Sequence, residues 1–160
     1  MPKPEIEEKP IRLYFKSYLK IIKNAIGSKM FRNFYAKTST KGEFDAFNDG
    51  EYSCAFFVST ILVIFKKISG FHGLVSHTVE DMEKSGWQKV DEHRPGDVVV
   101  WEPIDFGNGP VPHIGFAIGN DQAVSTSWKQ KCVIEHGINF NGNRKIEAIY
   151  RYSDWEPHGS

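Results

Sequence analysis

Two residue types suited to covalent catalysis stand in suggestive places. Cys54 follows Asp49-Gly-Glu-Tyr-Ser53 and opens an apolar run reaching Ile68. If that run is a helix, its unpaired N–H groups and positive dipole end favour a thiolate, the nucleophilic form of cysteine. A structural cysteine, packing as a small hydrophobe, suits the same place. His113 opens the segment His113-Ile-Gly-Phe-Ala-Ile-Gly-Asn120 after a loop containing Pro and Gly. At the mouth of a sheet it can face a helix N-terminus and act as general base to a cysteine. A hydrogen-bonded structural histidine is the competing reading. Cys132 reads as an inert core thiol. The two cysteines form no CxxC pair, so neither a disulfide framework nor a zinc knuckle is encoded, although one bridge between them stays open. His72, His77, His93 and His158 are not spaced as a ligand set, and neither metal nor cofactor is expected.

These residues must be positioned by the elements around them. Ile11, Tyr14, Phe15, Tyr18, Leu19, Ile22, Ala25 and Ile26 recur at helical spacing and stop at Gly27. Glu5, Glu7, Glu8 and Pro10 precede this run, and Lys16, Lys20 and Lys23 lie within it, a polarity that suits the helix dipole. The basic face either docks on an anionic surface or partner, or is solvated while the other face packs on the core. From Phe31 to Tyr52 the pattern breaks into aromatics, Gly and Asn-Asp-Gly, which predicts a long irregular loop lining a cleft. Cys54 to Ile68, closed by Ser69-Gly70, is apolar almost all round and predicts an enclosed helix. Ser76 is expected to cap a short helix running through Val79 and Met82 to Gly86.

After Trp87 the period changes. Pro95-Gly96-Asp97 predicts a turn, Val98 to Trp101 a strand, and Glu102 to Pro112 a loop. His113 to Ile118 and Ala123 to Trp128 pair across Gly119-Asn-Asp121, followed by short strands at Lys131 to Glu135 and Ile146 to Tyr152. Helices first and an antiparallel sheet after them make an α+β domain.

The chain has 160 residues, with 20 Lys+Arg against 20 Asp+Glu and 40% hydrophobic content, which suits one ordered domain. Zero formal charge gives no overall field to attract a polyanion, so nucleic acid is not an expected partner. The start lacks the apolar core of a signal peptide and Ala55 to Phe65 is too short to span a bilayer, which takes ~20 residues. On that ground the chain is expected in the cytoplasm, with no membrane partner. Oligomeric state leaves no signal.

The order of four motifs carries a resemblance. Cys54 at a helix start, Arg94-Pro-Gly-Asp-Val-Val-Val-Trp101, His113-Ile-Gly-Phe-Ala-Ile-Gly-Asn120 and Ala123-Val-Ser125 together resemble the NlpC-like family of papain-fold cysteine peptidases and amidases. The resemblance spans about Tyr52 to Ser127. It implies a papain-like hydrolase domain at 31–157, with an N-terminal amphipathic helix at 1–30 packed on it as part of a single domain. It implies Cys54 as nucleophile, His113 as base and then acid, and the Cys54 backbone N–H as oxyanion donor. Tyr35 and Tyr52 are the candidates for the tyrosine that completes the oxyanion hole in that family. The third catalytic position, usually His, Asn or Gln, falls on Ser125, with Ser127, Glu135 and His136 as further candidates for orienting His113. Ala55-Phe56 follows the cysteine where the family usually has Ser-Gly.

The resemblance implies amide-bond hydrolysis through an acyl-enzyme, with bacterial cell-wall peptide as substrate and hence action outside the cytoplasm. A catalytically weak or inactive peptide- or glycan-binding domain on the same fold is the alternative, favoured by Ser125 and Phe56. An adaptor acting through the basic first helix is a third reading.

Overall fold

The computed structural model describes residues 1–2 and 7–156. Glu5 ahead of the first helix, His158 in the tail and position 157 lie outside them. The first helix, α1, spans Tyr14–Asn24. It starts later than the apolar spacing predicts, and Ile11 and Leu13 are exposed. Tyr18 and Ile22, one turn apart, are fully buried in the main core, while Lys16, Lys20 and Lys23 face solvent. The Tyr18 hydroxyl donates to the Gly96 carbonyl at 2.8 Å, fastening α1 to the turn that starts the sheet. No helix of the described residues is long and apolar enough to cross a membrane.

The segment predicted as an irregular loop contains a hairpin. Strands β1 (Tyr35–Thr38) and β2 (Gly42–Asp45) pair antiparallel, from Tyr35 opposite Asp45 to Thr38 opposite Gly42. These strands are four residues each and none of their residues is fully buried, so no alternation of apolar and polar residues marks them. Past the hairpin, the Asp45 carboxylate accepts backbone N–H bonds from Phe34, Phe47 and Asp49. Burial opposes its charge, but these bonds and one from Asn33 outweigh it and lower its pKa to about 2. Asp49 in turn holds Arg32 and Lys131, tying the approach to Cys54 to the far hairpin of the sheet.

Helix α2 spans Cys54–Ile64, four residues short of the predicted end at Ile68, because Lys66 takes a left-handed conformation at φ 56°. Phe57, Val58, Ile61 and Leu62 are buried against the sheet. Removing such a side chain, as in Leu62→Ala, costs about 2–5 kcal/mol. Helix α3 spans Val75–Lys84. Ser76 does not cap it: Leu74 occupies that position without a side-chain bond, and Ser76 lies inside the first turn. The Thr78 hydroxyl donates to the Leu74 carbonyl instead.

The six-stranded sheet is antiparallel throughout, in the order β3-β8-β4-β5-β6-β7. Its strands are β3 (Gln88–Val90), β4 (Val98–Asp105), β5 (Pro110–Gly119), β6 (Gln122–Ser127), β7 (Cys132–Gly137) and β8 (Ile146–Arg151). Most of the predicted Glu102–Pro112 loop is therefore strand, leaving 106–109 as the tip. Pro103 and Pro112 are tolerated because the ladder is broken there by a register shift between Trp101 and Ile104, and Pro110 because it is the first residue of β5. One sheet face packs on the helices through Val98, Val100, Ile114, Phe116, Val124 and Val133. The other carries a smaller core of Val99, Trp101, Ala117, Ala123 and Ile138. The fold is α+β.

Candidate active site

Cys54 is the first residue of α2 and packs at the edge of the helix-side core. The N–H groups of Ile114, Ala55 and Cys54 itself bear on its sulfur, and Arg144 adds a positive charge nearby. All favour a thiolate. Burial outweighs them and pushes the thiol above its ordinary value. Helix-end electrostatics alone favour a thiolate; desolvation at this position favours the thiol. The Ile114 N–H places that sulfur beside β5, at the residue after His113.

The sheet's smaller face aligns the histidines. Trp101 pairs with His113, and side chains alternate along each strand, so His113, Gly115 and Ala117 share this face. Phe116 pairs with Val124, and continuing that register sets Gly115 opposite Ser125. Ala123 pairs with His136 and Ser125 with Ile134, which brings His136 to the same face. Glycine at 115 is required by this approach: a Cβ there would meet the Val124 carbonyl oxygen at 2.6 Å and the Ser125 Cβ at 2.8 Å. Across the space left open, Ser125 reaches both rings. Its Oγ lies 2.9 Å from His113 Nε2 and 2.7 Å from His136 Nε2.

Hydrogen placement follows from the end of this line. His136 Nδ1 lies 2.8 Å from the Gly137 carbonyl oxygen, which only accepts, so Nδ1 carries the proton. In a neutral His136, Nε2 is then an acceptor and the Ser125 hydroxyl donates to it. The Ser125 oxygen accepts in turn from His113 Nε2–H, leaving His113 Nδ1 with a free lone pair. Both rings are held neutral. Burial, then the Arg144 charge, then His136 lower His113 to about 3. Burial lowers His136 as well, against the Gly137 carbonyl and Glu135. Phe140 stacks on His136 with centroids 3.9 Å apart, and Trp101 lies 5.4 Å from the His113 ring. The Trp101 Nε1–H donates to the Ile138 carbonyl at 2.6 Å, fixing the indole against both.

Cys54, His113 and His136 line one cavity of about 1010 Å³. Of the two candidate tyrosines, Tyr52 lines it, while Tyr35 lies outside its wall and is 72% exposed. Ser127 also lines it, with its hydroxyl accepting the Gln130 N–H in the following turn. Glu135 is an exposed wall residue, opposite Val124 and so on the other sheet face from His136. Phe106 and Trp128, at the tips of separate hairpins, meet at the wall with centroids 6.2 Å apart. Arg144, Phe140 and Phe106 also line the cavity. No spacing or motif marks them, since each depends on a loop folding back over the sheet. Among the described residues no group of three or more His, Cys, Asp or Glu is arranged to hold a metal ion. No family model and no curated protein matches this sequence.

Proposed function

We propose that this protein is a cysteine hydrolase that splits an amide bond through a Cys54–His113 acyl-enzyme, on a papain-like scaffold of NlpC type. The observation that carries the reading is the line from His113 through Ser125 and His136 to the Gly137 carbonyl. It commits Nε2 of His113 to donation and leaves Nδ1 as a base in the cavity that also holds Cys54.

The chemistry follows from those proton positions. Cys54 Sγ attacks the substrate carbonyl carbon as its proton passes to His113 Nδ1, and the resulting oxyanion is held by the Cys54 backbone N–H. Because the resting pair is neutral, attack and proton transfer are coupled rather than preceded by a stored thiolate. Collapse breaks the C–N bond, and the Nδ1 proton leaves with the amine. Water then attacks the thioester, giving one proton to Nδ1, and the acid departs as that proton returns to sulfur. During each imidazolium stage the Ser125 oxygen still accepts the Nε2 proton. Ser125 and His136 thus position His113 rather than touch substrate.

The resemblance supplies bacterial cell-wall peptide as the substrate class. The competing reading, a peptide- or glycan-binding domain without turnover, draws on one observation: burial raises the Cys54 thiol instead of lowering it. Purified cell-wall peptides incubated with wild type and Cys54→Ala separate the two. New fragments by mass spectrometry with wild type alone are expected; identical peptide maps from both proteins leave the binding reading.

A further inference from the structure

Arg144 is a buried cation at the cavity wall. It is 9% exposed, yet it makes none of the salt bridges found among the described residues. Its Nε donates to the Glu102 carbonyl at 2.9 Å and its Nη2 to the Val111 carbonyl at 2.6 Å. Those carbonyls flank the break in the β4–β5 ladder, so the guanidinium is clamped in place. The nearest acid in electrostatic terms, Glu102, directs its carboxylate to the Lys145 N–H. Nη1 has no hydrogen bond among the described residues, and Arg144 lines the cavity close enough to Cys54 and His113 for its charge to act on both.

A buried charge is costly unless paired, and arginine's planar fork matches a carboxylate. The other charged wall residues, Glu51, Lys129 and Glu135, are all exposed. We propose that Arg144 is a specificity-determining residue: it receives a carboxylate that the substrate carries close to the carbonyl attacked by Cys54. This deepens, and rests on, the hydrolase reading, and it names the substrate class as acyl amides bearing a neighbouring carboxylate.

The test uses N-acetylalanine and N-acetylalaninamide, which share the acyl amide and differ in the carboxylate. Phenylglyoxal modification of Arg144 in the wild-type chain is followed by peptide mapping with each probe present. The acid should slow modification and the amide should not. By calorimetry on Cys54→Ala, the acid should bind about tenfold or more tightly than the amide, the scale of a charge-assisted pair. Adding Arg144→Gln should erase that preference. Should Arg144→Gln fail to fold for want of its two carbonyl bonds, the wild-type protection experiment decides. Equal protection by both probes, or by neither, overturns the proposal. A failed hydrolase reading shows itself separately, as unchanged cell-wall peptides beside intact protection of Arg144 by the acid.

Discussion

Gly115 and Ser125 face each other so closely that a methyl group on Gly115 would stand 2.8 Å from the Ser125 Cβ. The glycine is what lets Ser125 sit over β5 and reach His113 two residues away. The same missing side chain would strike the Val124 carbonyl oxygen at 2.6 Å, and backbone yields less readily than a side-chain tip. Gly115→Ala should therefore destabilise by about 1–3 kcal/mol through overpacking. Denaturant unfolding measures the loss. Turnover by the folded fraction should fall as well, because the strands must part where Ser125 meets His113. A variant as stable and as active as wild type would show that β5 and β6 do not approach this closely.

Ser125 and His136 should act as one unit. Ser125→Ala removes a hydrogen bond worth about 0.5–1.5 kcal/mol and should slow turnover about tenfold or less. His136→Ala frees the serine hydroxyl to rotate, so the double variant should be no slower than the slower single one. Additive losses in a kinetic cycle would mean that His136 reaches His113 by another route. Ser125→Asn, which puts a longer amide in place of the hydroxyl, should be severely impaired. Ser125 is fully buried against Gly115, and the larger side chain has no room.

Activity should have no acid limb near the ordinary histidine value. His113 serves as base only when unprotonated, and with its pKa at about 3 it meets that condition across the whole range from mild acid upward. kcat/KM measured from pH 5 to 8 should be free of a histidine titration. A limb centred at about 6.5, the unperturbed value, would mean that the ring is solvated in the free protein.

Asp81 should make stability acid-sensitive. Burial alone would raise its carboxyl, but bonds from His72, Ser69 and Ser85 dominate and hold it well below the ordinary range. Since the folded value lies below the unfolded one, the stabilisation is complete above about pH 4 and is lost as pH falls through the folded value. Asp81→Asn should cost about 1.5–3 kcal/mol at neutral pH, the scale of a charge-assisted bond. The gap to wild type should narrow in acid. Thermal melts of both proteins from pH 7 to pH 3 provide the comparison, and parallel curves would contradict this assignment.

Much of the frame is legible in local pattern. The apolar run after Cys54 marks a helix because it is too long for a strand, and short apolar runs separated by Gly and Pro turns from Val98 onward mark the sheet. The type and order of Cys54, His113 and Ser125 are likewise written in the chain, as are the residues that make the helix-before-sheet α+β class. What tertiary structure decides are quantities that depend on approach between distant segments. The hairpin of β1 and β2 has strands too short, and too little buried on either face, to leave a period. Helix-end electrostatics argue for a thiolate at Cys54, yet burial under β5 reverses the direction, since desolvation is set by neighbours remote in sequence. His136 and Ser127 are equally polar on paper. Only the β6–β7 register, which places His136 opposite Ala123, turns its ring toward Ser125. Arg144 carries no local signal at all, because its place in the cavity arises only when the segment before β8 closes over the sheet.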